Sequence, residues 1–262
     1  MKLKGKNAAI TGAASGIGQA TALKFASEGI ANLTLADLNE AGLEETKKKV
    51  LEIDPNIGTR LHMANVSIEQ DVKAFVDDTV QSFGGIDILF NNAGIAGGSY
   101  MIDEMPFEVF QRGVSINLFG VFFGMKYALG YMKAAKKGSI INTSSIGGLV
   151  ALPNSSDYVA AKHGIAGLTK TAAVEYGPYG VRTNAVCPGP SITNLYEGII
   201  AADAAASNVT SDDLLERDRK MIPFGRQGTA EEIASLVSFL ASDEASYLSG
   251  SIIAIDGGYT SL

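Results

Sequence analysis

The stretch Asn7-Ala8-Ala9-Ile10-Thr11-Gly12-Ala13-Ala14-Ser15-Gly16-Ile17-Gly18 decides the fold. Asn7 to Thr11 is a short, largely apolar run with the length of a buried strand. A helical pattern follows and runs to about Glu28. Between the two, the glycines fall as G-x-x-x-G-x-G. Residues without a Cβ let the backbone approach an anion, and the free N–H groups and dipole of a helix N-terminus attract one. A tight strand-to-helix turn with no ligand would use the same glycines. The position favours a ligand, because the first strand-helix junction is where a doubly wound sheet holds a pyrophosphate.

Working outward, Leu33 to Ala36 is the second strand and Asp37 stands at its end, 19 residues after Gly18. An acid about 20 residues past such glycines can bind the ribose 2′-hydroxyl of NAD and repels the 2′-phosphate of NADP. No Arg follows it; the neighbours are Leu38, Asn39 and Glu40. Asp37 could instead cap the next helix, as could Asn39. The alternation continues with helix Glu40–Ile53, strand Arg60–Ala64, helix Val72–Phe83 stopped by Gly84-Gly85, and strand Ile86–Phe90. Asn91-Asn92-Ala93-Gly94 then makes a small-residue turn, suited to close approach by a ligand or to asparagine-stabilised turn geometry. A long helix is expected from Phe107 to about Lys133, then strand Gly138–Thr143, a helix from Tyr158 to about Tyr176, strand Val181–Val186, a last helix capped by Thr229, and strand Ser251–Ile255. This predicts an α/β protein over residues 1–262: a single-domain Rossmann fold, with a doubly wound seven-stranded parallel sheet and helices on both faces. Residues 190–225 have no strand pattern and interrupt the alternation after a strand, which suits a substrate lid.

Composition bounds the function. The chain has 262 residues, 46% of them hydrophobic, enough to bury a core without disulfides or metals. Net charge is −7, which disfavours nucleic acid and anionic membrane surfaces as partners. A single cysteine, Cys187, rules out an intrachain disulfide and fits a reducing compartment. No leader pattern or long apolar run is present, so the expectation is a soluble cytoplasmic protein. The two histidines, His62 and His163, are far apart and no metal site is expected.

The chemistry centres on Tyr158-Val159-Ala160-Ala161-Lys162. Residues four apart share a helical face. An ammonium beside a phenol favours the phenolate, which makes Tyr158 a candidate acid/base. The pair alone reads as well as an exposed amphipathic face. Asn117 lies mid-helix among Ile116, Leu118 and Phe119, a place where an Asn usually satisfies buried backbone. Gly113, Gly120, Gly124 and Gly130 in the same helix cost about 1 kcal/mol each against Ala, and suggest close packing on another element or subunit.

Taken in order, Thr11-Gly12-x-x-x-Gly16-Ile17-Gly18, Asn91-Asn92-Ala93-Gly94, Asn117, Ser145, Tyr158-x-x-x-Lys162, Pro188-Gly189 and Asp256-Gly257-Gly258 resemble the short-chain dehydrogenase/reductase family over essentially the whole chain. The resemblance implies an oxidoreductase moving a hydride between NAD(H) and a small secondary alcohol or ketone. It implies the catalytic tetrad Asn117, Ser145, Tyr158 and Lys162, with Ser145 chosen over Ser144 by its place 13 residues before Tyr158. Tyr158 would carry the hydroxyl proton, Lys162 would lower its pKa and hold a ribose, Ser145 would stabilise the substrate oxygen, and Asn117 would hold a relay water. The implied cofactor set is Gly12, Ser15, Gly16, Ile17, Gly18, Asp37, Asn65, Val66, Asn91, Ala93, Gly94, Tyr158, Lys162, Pro188, Gly189 and Thr193. Many members carry Asp-Val where this chain has Asn65-Val66; the Asn amide can still contact adenine. The family often has an aliphatic residue two positions after Pro188-Gly189; here that position is Ser191, with Ile192 next.

Ser145, Gly147, Tyr158, Ile95, Leu152, Pro190 and Tyr196 are the expected substrate contacts, with Leu149 beside them. Most are apolar, which suits a small ketone or secondary alcohol, cyclic ones included. The helix and lid layout is similar to reductases of cyclic diketones and dehydrogenases of cyclic alcohols. A 3-oxoacyl carrier-protein reductase, a sugar or polyol dehydrogenase, and a catalytically silent nucleotide-binding regulator remain as alternatives. Asp37 argues against the first and the intact tetrad against the last. The resemblance also implies a homotetramer, built on the Phe107–Lys133 and Tyr158 helices and on the terminal segment Asp256 to Leu262.

Overall fold

The structure is a computed structural model that describes residues 1–207 and 209–261. Asn208, inside the expected lid, and Leu262, at the end of the terminal segment, lie outside the described residues.

Seven strands form one parallel sheet: β1 Asn7–Thr11, β2 Asn32–Asp37, β3 Gly58–Met63, β4 Ile88–Asn91, β5 Gly138–Thr143, β6 Val181–Pro188 and, last in the chain, Ile252–Ile255. The order across the sheet is β3-β2-β1-β4-β5-β6 and then the last strand. The chain therefore winds outward to one side of β1 and then to the other. The point of reversal lies between β1 and β4, where a crevice opens above the strand carboxyl ends.

Helices cover both faces because successive strand residues point to opposite sides. Ile10, Leu35, Phe90, Ile141 and Val186 pack under α1 Gly16–Ser27, α2 Glu40–Ile53 and the late helix Ala230–Ala241. Their chain neighbours Ala9, Ala36, Leu89, Ile140 and Ala185 pack on the other face. There they meet α3 Glu69–Phe83, α5 Gly120–Ala135 and α6 Ser156–Tyr176. Such strands, buried on both faces, read as near-continuous apolar runs, which is why they are legible in the sequence.

Two expectations need correction. The helix expected from Phe107 to Lys133 is not continuous: α4 Phe107–Val114 passes into a π-turn at Ser115–Phe119, with Gly120 N–H bonded to Ser115 O, before α5 begins. A wider turn of this kind inserts one residue into the helical register. Of the four glycines, Gly113 faces Asp157, Gly120 faces Val66 and Gly124 faces Asn91, so these three serve packing within the chain. Residues 190–225 are also more ordered than their pattern suggests. β7 Ser191–Ile192 pairs in parallel with β8 Gly228–Thr229, and α7 Asn194–Ser207 and α8 Ser211–Met221 lie between them. Helix α8 opens on a capping box in which Thr210 and Asp213 satisfy each other's N–H groups. Thr229 makes the same arrangement with Glu232 for α9 Ala230–Ala241, as its place in the sequence indicates. The last strand, Ile252–Ile255, is then β9.

Candidate active site

Gly12 and Gly16 adopt positive φ, +67° and +51°, which only glycine takes at no cost. A Cβ on Gly18 would lie 2.0 Å from the Gly12 carbonyl oxygen, so α1 leaves β1 at the closest possible approach. The junction is locked from β4. Thr11 Oγ1 accepts the N–H groups of Asn92 and Ala93 at 3.0 and 3.1 Å, and Asn92 Nδ2 donates to the carbonyls of Thr11 and Gly12. Asp37 is held by three main-chain donors: Ala14 N–H to Oδ2 at 3.1 Å, and Leu38 and Asn39 N–H to Oδ1 at 2.7 and 3.1 Å. Asn39, not Asp37, caps α2, accepting from Gly42 N–H. The Asp37 carboxylate is thus fixed beside the glycine turn and faces the cleft.

That cleft has a volume of about 690 Å³ and runs over the carboxyl ends of β1, β4, β5 and β6. It collects Gly12, Ser15, Gly16, Ile17, Asp37, Ala93, Gly94, Ile95, Asn117, Ser145, Leu152, Tyr158, Lys162, Pro188, Gly189, Pro190, Thr193 and Tyr196. Thr193, at the start of the lid, packs across from Gly16. Five expected site residues do not reach the cleft wall. Gly18 lies behind the turn, Val66 packs on Gly120, and Asn91 is buried beneath the floor, where it donates to Asn142. Gly147 lies under Leu152 and the Tyr158 ring. Asn65 spends its amide oxygen on the N–H and hydroxyl of Ser67.

The four tetrad residues converge in the middle of the cleft. Lys162 Nζ is buried, donates to Thr143 O at 2.8 Å, and sits 5.4 Å from the centre of the Tyr158 ring. Ser145 Oγ accepts Gly147 N–H at 3.1 Å, which leaves its own hydrogen to donate elsewhere. Asn117, in the π-turn, pairs both ends of its amide with the main chain of Ile95: Oδ1 accepts Ile95 N–H at 3.0 Å and Nδ2 donates to Ile95 O at 3.1 Å. It lies beside Gly94, on which a Cβ would be 2.7 Å from Asn117 Oδ1 and 3.7 Å from Lys162 Nζ. Thr11, Asn92 and Thr143 are further contributors; Thr11 and Asn92 stand within the quoted motifs but had no role assigned there. Their signal was position, since each ends or follows a strand at the crevice.

The electrostatics differ from the simple pairing expected of Tyr158 and Lys162. Burial raises the phenol of Tyr158, and the hydrogen bond with Ser145 pulls it partly back. Burial pushes the Lys162 ammonium down to about 8 from its ordinary 10.5. The lysine keeps its charge below about pH 8, yet burial outweighs it and leaves the phenol above its ordinary value.

A stability effect follows for Lys162. A folded-state pKa below the unfolded value means the unfolded chain binds more protons between pH 8 and 10.5, so this group's contribution to stability rises with pH across that window. Below pH 8 the full cost of burying the charge is present, about 3 kcal/mol at 1.36 kcal/mol per pKa unit. Lys162→Met is therefore expected to melt higher than the parent protein at pH 7 and to lose that advantage towards pH 10.5. Thermal unfolding of both proteins across that range checks it. A variant less stable at pH 7 than at pH 10, relative to the parent, would show the opposite sign.

A family model described as "Enoyl-(Acyl carrier protein) reductase" matches residues 12–260. The chain belongs to the short-chain dehydrogenase/reductase family. Levodione reductase of Leifsonia aquatica is 42% identical over 250 residues, covering 95% of this chain and 92% of that protein. Cyclohexanol dehydrogenase of Acinetobacter sp. (strain SE19) is 42% identical over 261 residues, covering 99% and 97%. The crystal structure of a levodione reductase superposes with a TM-score of 0.95 at 40% identity, each chain covered to 99%. That of an NAD+-bound xylitol dehydrogenase superposes with a TM-score of 0.92 at 33% identity, covering 98% of this chain and all of the other. The family fold expected from the sequence, a seven-stranded parallel sheet between helical layers, is the observed one.

Proposed function

We propose that this short-chain dehydrogenase/reductase interconverts a small cyclic secondary alcohol and its ketone with NAD as cofactor. The observation that carries the reading is the convergence of Ser145, Tyr158, Lys162 and Asp37 on one cleft. The glycine turn suits a dinucleotide: Gly12 and Gly16 line the cleft without a Cβ, and Gly16 opens α1 there, where a helix N-terminus favours an anion. Asp37, fixed by three N–H donors, fits a ribose diol and repels a 2′-phosphate. The relatives named for cyclohexanol and levodione support the cyclic class.

NAD, when bound, supplies or accepts the hydride. In reduction Tyr158 Oη gives a proton to the substrate oxygen, and in oxidation it takes one. Ser145, its oxygen already accepting from Gly147, donates its hydrogen to that same substrate oxygen and stabilises negative charge there. Lys162, anchored on Thr143 O, places a cation beside the Tyr158 ring. Asn117 fixes Ile95 at the cleft wall with one acceptor site and one N–H, and keeps a second lone pair and a second hydrogen for a relay water. Ile95, Leu152, Pro190 and the ring of Tyr196 supply apolar walls. The Tyr196 hydroxyl is spent on Asp218 of α8 at 2.7 Å, so it offers its ring rather than a polar contact.

Residues 1–262 act as one domain in this reading, with 190–225 as the lid. Exposed Phe119 at the end of the π-turn, Phe122 on α5 and Val174 on α6 support a homotetramer. The single, buried Cys187 supports a reducing cytoplasm, and among the described residues no helix is long and apolar enough to cross a membrane. Sedimentation at micromolar concentration is expected to give four chains, and a monomer mass would refute the assembly. Steady-state assays of cyclohexanol, cyclohexanone, a cyclic diketone and xylitol, each with both cofactors, test the function. Activity on the cyclic compounds with NAD at least about 100-fold above NADP is expected, of the order of two to three kcal/mol of charge discrimination. Preference for NADPH would sink the assignment of Asp37.

A further inference from the structure

Asp157 is a carboxylate with no place in the mechanism above, yet it is only 1% exposed and immediately precedes Tyr158. Both of its oxygens face one donor, the N–H of Gly98, at 3.2 and 3.1 Å. Three glycines make its niche. A Cβ on Gly113 of α4 would lie 2.4 Å from Asp157 Oδ2, and a Cβ on Gly97 would lie 2.9 Å from Asp157 Oδ1 and 2.8 Å from Tyr158 Cβ; the third, Gly98, gives the N–H. Burying a carboxylate is costly, and an alanine in that niche would avoid the cost. The position in the first turn of α6 offsets part of it through the helix dipole. What remains unexplained by stability is the directed contact with the glycine segment that packs on it.

That segment, Gly97-Gly98-Ser99, lines the cleft together with Asn154 and Ser155. Its far end is also tied: Tyr100 N–H donates to Asn154 O at 3.0 Å, with a one-residue parallel bridge to Ser155. Asn154 takes a positive φ, +60°, to present that carbonyl. The rim is therefore fastened at two points, Gly98 by a side chain and Tyr100 by main chain. Only the first belongs to the helix that carries Tyr158.

We propose that Asp157 is a specificity-determining positioning residue, which draws the Gly97–Ser99 rim down onto the stem of Tyr158 and so limits the bulk of substrate that can lie over it. The size-limiting role rests on the ketone-reductase reading above; the clamp itself does not. Without the carboxylate, the rim is held only at its flanks, by Ile95 on Asn117 and by Tyr100 on Asn154, and the mouth of the pocket widens.

The test compares the full-length parent protein with Asp157→Ala and Asp157→Asn. The asparagine keeps the volume and one acceptor for Gly98 N–H. Amide hydrogen exchange at Gly98 is expected to speed up at least about tenfold in Asp157→Ala and to stay near the parent rate in Asp157→Asn. For reduction of cyclohexanone against 4-tert-butylcyclohexanone, Asp157→Ala is expected to shift the ratio of kcat/KM at least about tenfold towards the bulky ketone, chiefly through KM, with Asp157→Asn restoring the parent ratio. Unchanged Gly98 exchange in Asp157→Ala overturns the clamp. Equal losses on both ketones, with a lowered melting temperature, reduce the residue to a structural one and overturn the specificity role. If the parent protein reduces neither ketone, the functional reading fails and the size-limiting role with it, while the exchange rates still decide the clamp.

Discussion

Tyr158→Phe is expected to lose turnover by about a thousandfold, within the range of rate that a positioned acid/base supplies, while NAD affinity stays within about threefold of the parent value. The substitution removes one oxygen and little else. The side chain meets Gly97 through Cβ and Gly147 through the ring edge, and a phenylalanine keeps both contacts. Ser145 retains its bond from Gly147 N–H and Lys162 its bond to Thr143 O, so the rest of the site stays in place. What is lost is the one group beside Ser145 able to give and take the hydroxyl proton. The pH dependence adds a second readout. Burial holds the Tyr158 phenol above its ordinary value, so the phenolate needed for alcohol oxidation is scarce near neutrality and grows as pH rises. The parent oxidation rate is expected to climb into the alkaline range, and the residual rate of the variant to lack that limb. Turnover within tenfold of the parent, on any accepted substrate, would falsify Tyr158 as the proton carrier.

How much of this was legible depended on how local the physics is. The β1–Gly12–Gly18–α1 junction and Asp37 could be read directly, because a buried strand, a Cβ-free turn and an acid at the next strand end each leave a residue signature. Tyr158 and Lys162 could be placed on one face by spacing alone. Their electrostatics could not, since the direction of the Tyr158 shift depends on burial that only the folded cleft creates. The π-turn was illegible for a related reason. One inserted residue leaves no compositional mark, and the turn is fastened by Asn117 on Ile95, a pairing across 22 residues. The lid helix α8 buries only Leu214, so it shows no apolar stripe. Its one local signal was the Thr210–Asp213 capping box. Asp157 carries no motif signal in the sequence; its meaning comes from Gly98 and Gly113, which are distant in the chain.

Gly18→Ala is expected to destabilise the protein by about 3 kcal/mol, as overpacking against rigid neighbours does, and to weaken NAD binding at least about tenfold. Glycine inside a helix normally costs about 1 kcal/mol against alanine, so the usual sign is the reverse. Here the added Cβ would lie 2.0 Å from Gly12 O, 2.7 Å from Gly12 C and 2.9 Å from Asn92 Nδ2. Two of those atoms are main chain, and the third is the amide that bonds Gly12 O and Thr11 O. Asn92 also accepts the Thr143 hydroxyl at 3.3 Å, and Thr143 O is the acceptor for Lys162. Relief of the clash therefore displaces the glycine turn, the end of β4 and the anchor of the catalytic lysine together. Gly198→Ala, in α7 where a Cβ meets nothing within 4 Å, serves as the control; it is expected to be neutral or stabilising by up to about 1 kcal/mol. Denaturant unfolding and titration with NAD read both effects. Gly18→Ala matching Gly198→Ala in stability would mean that the turn yields freely, and that the β1–α1 junction is not the rigid base from which the cleft is built.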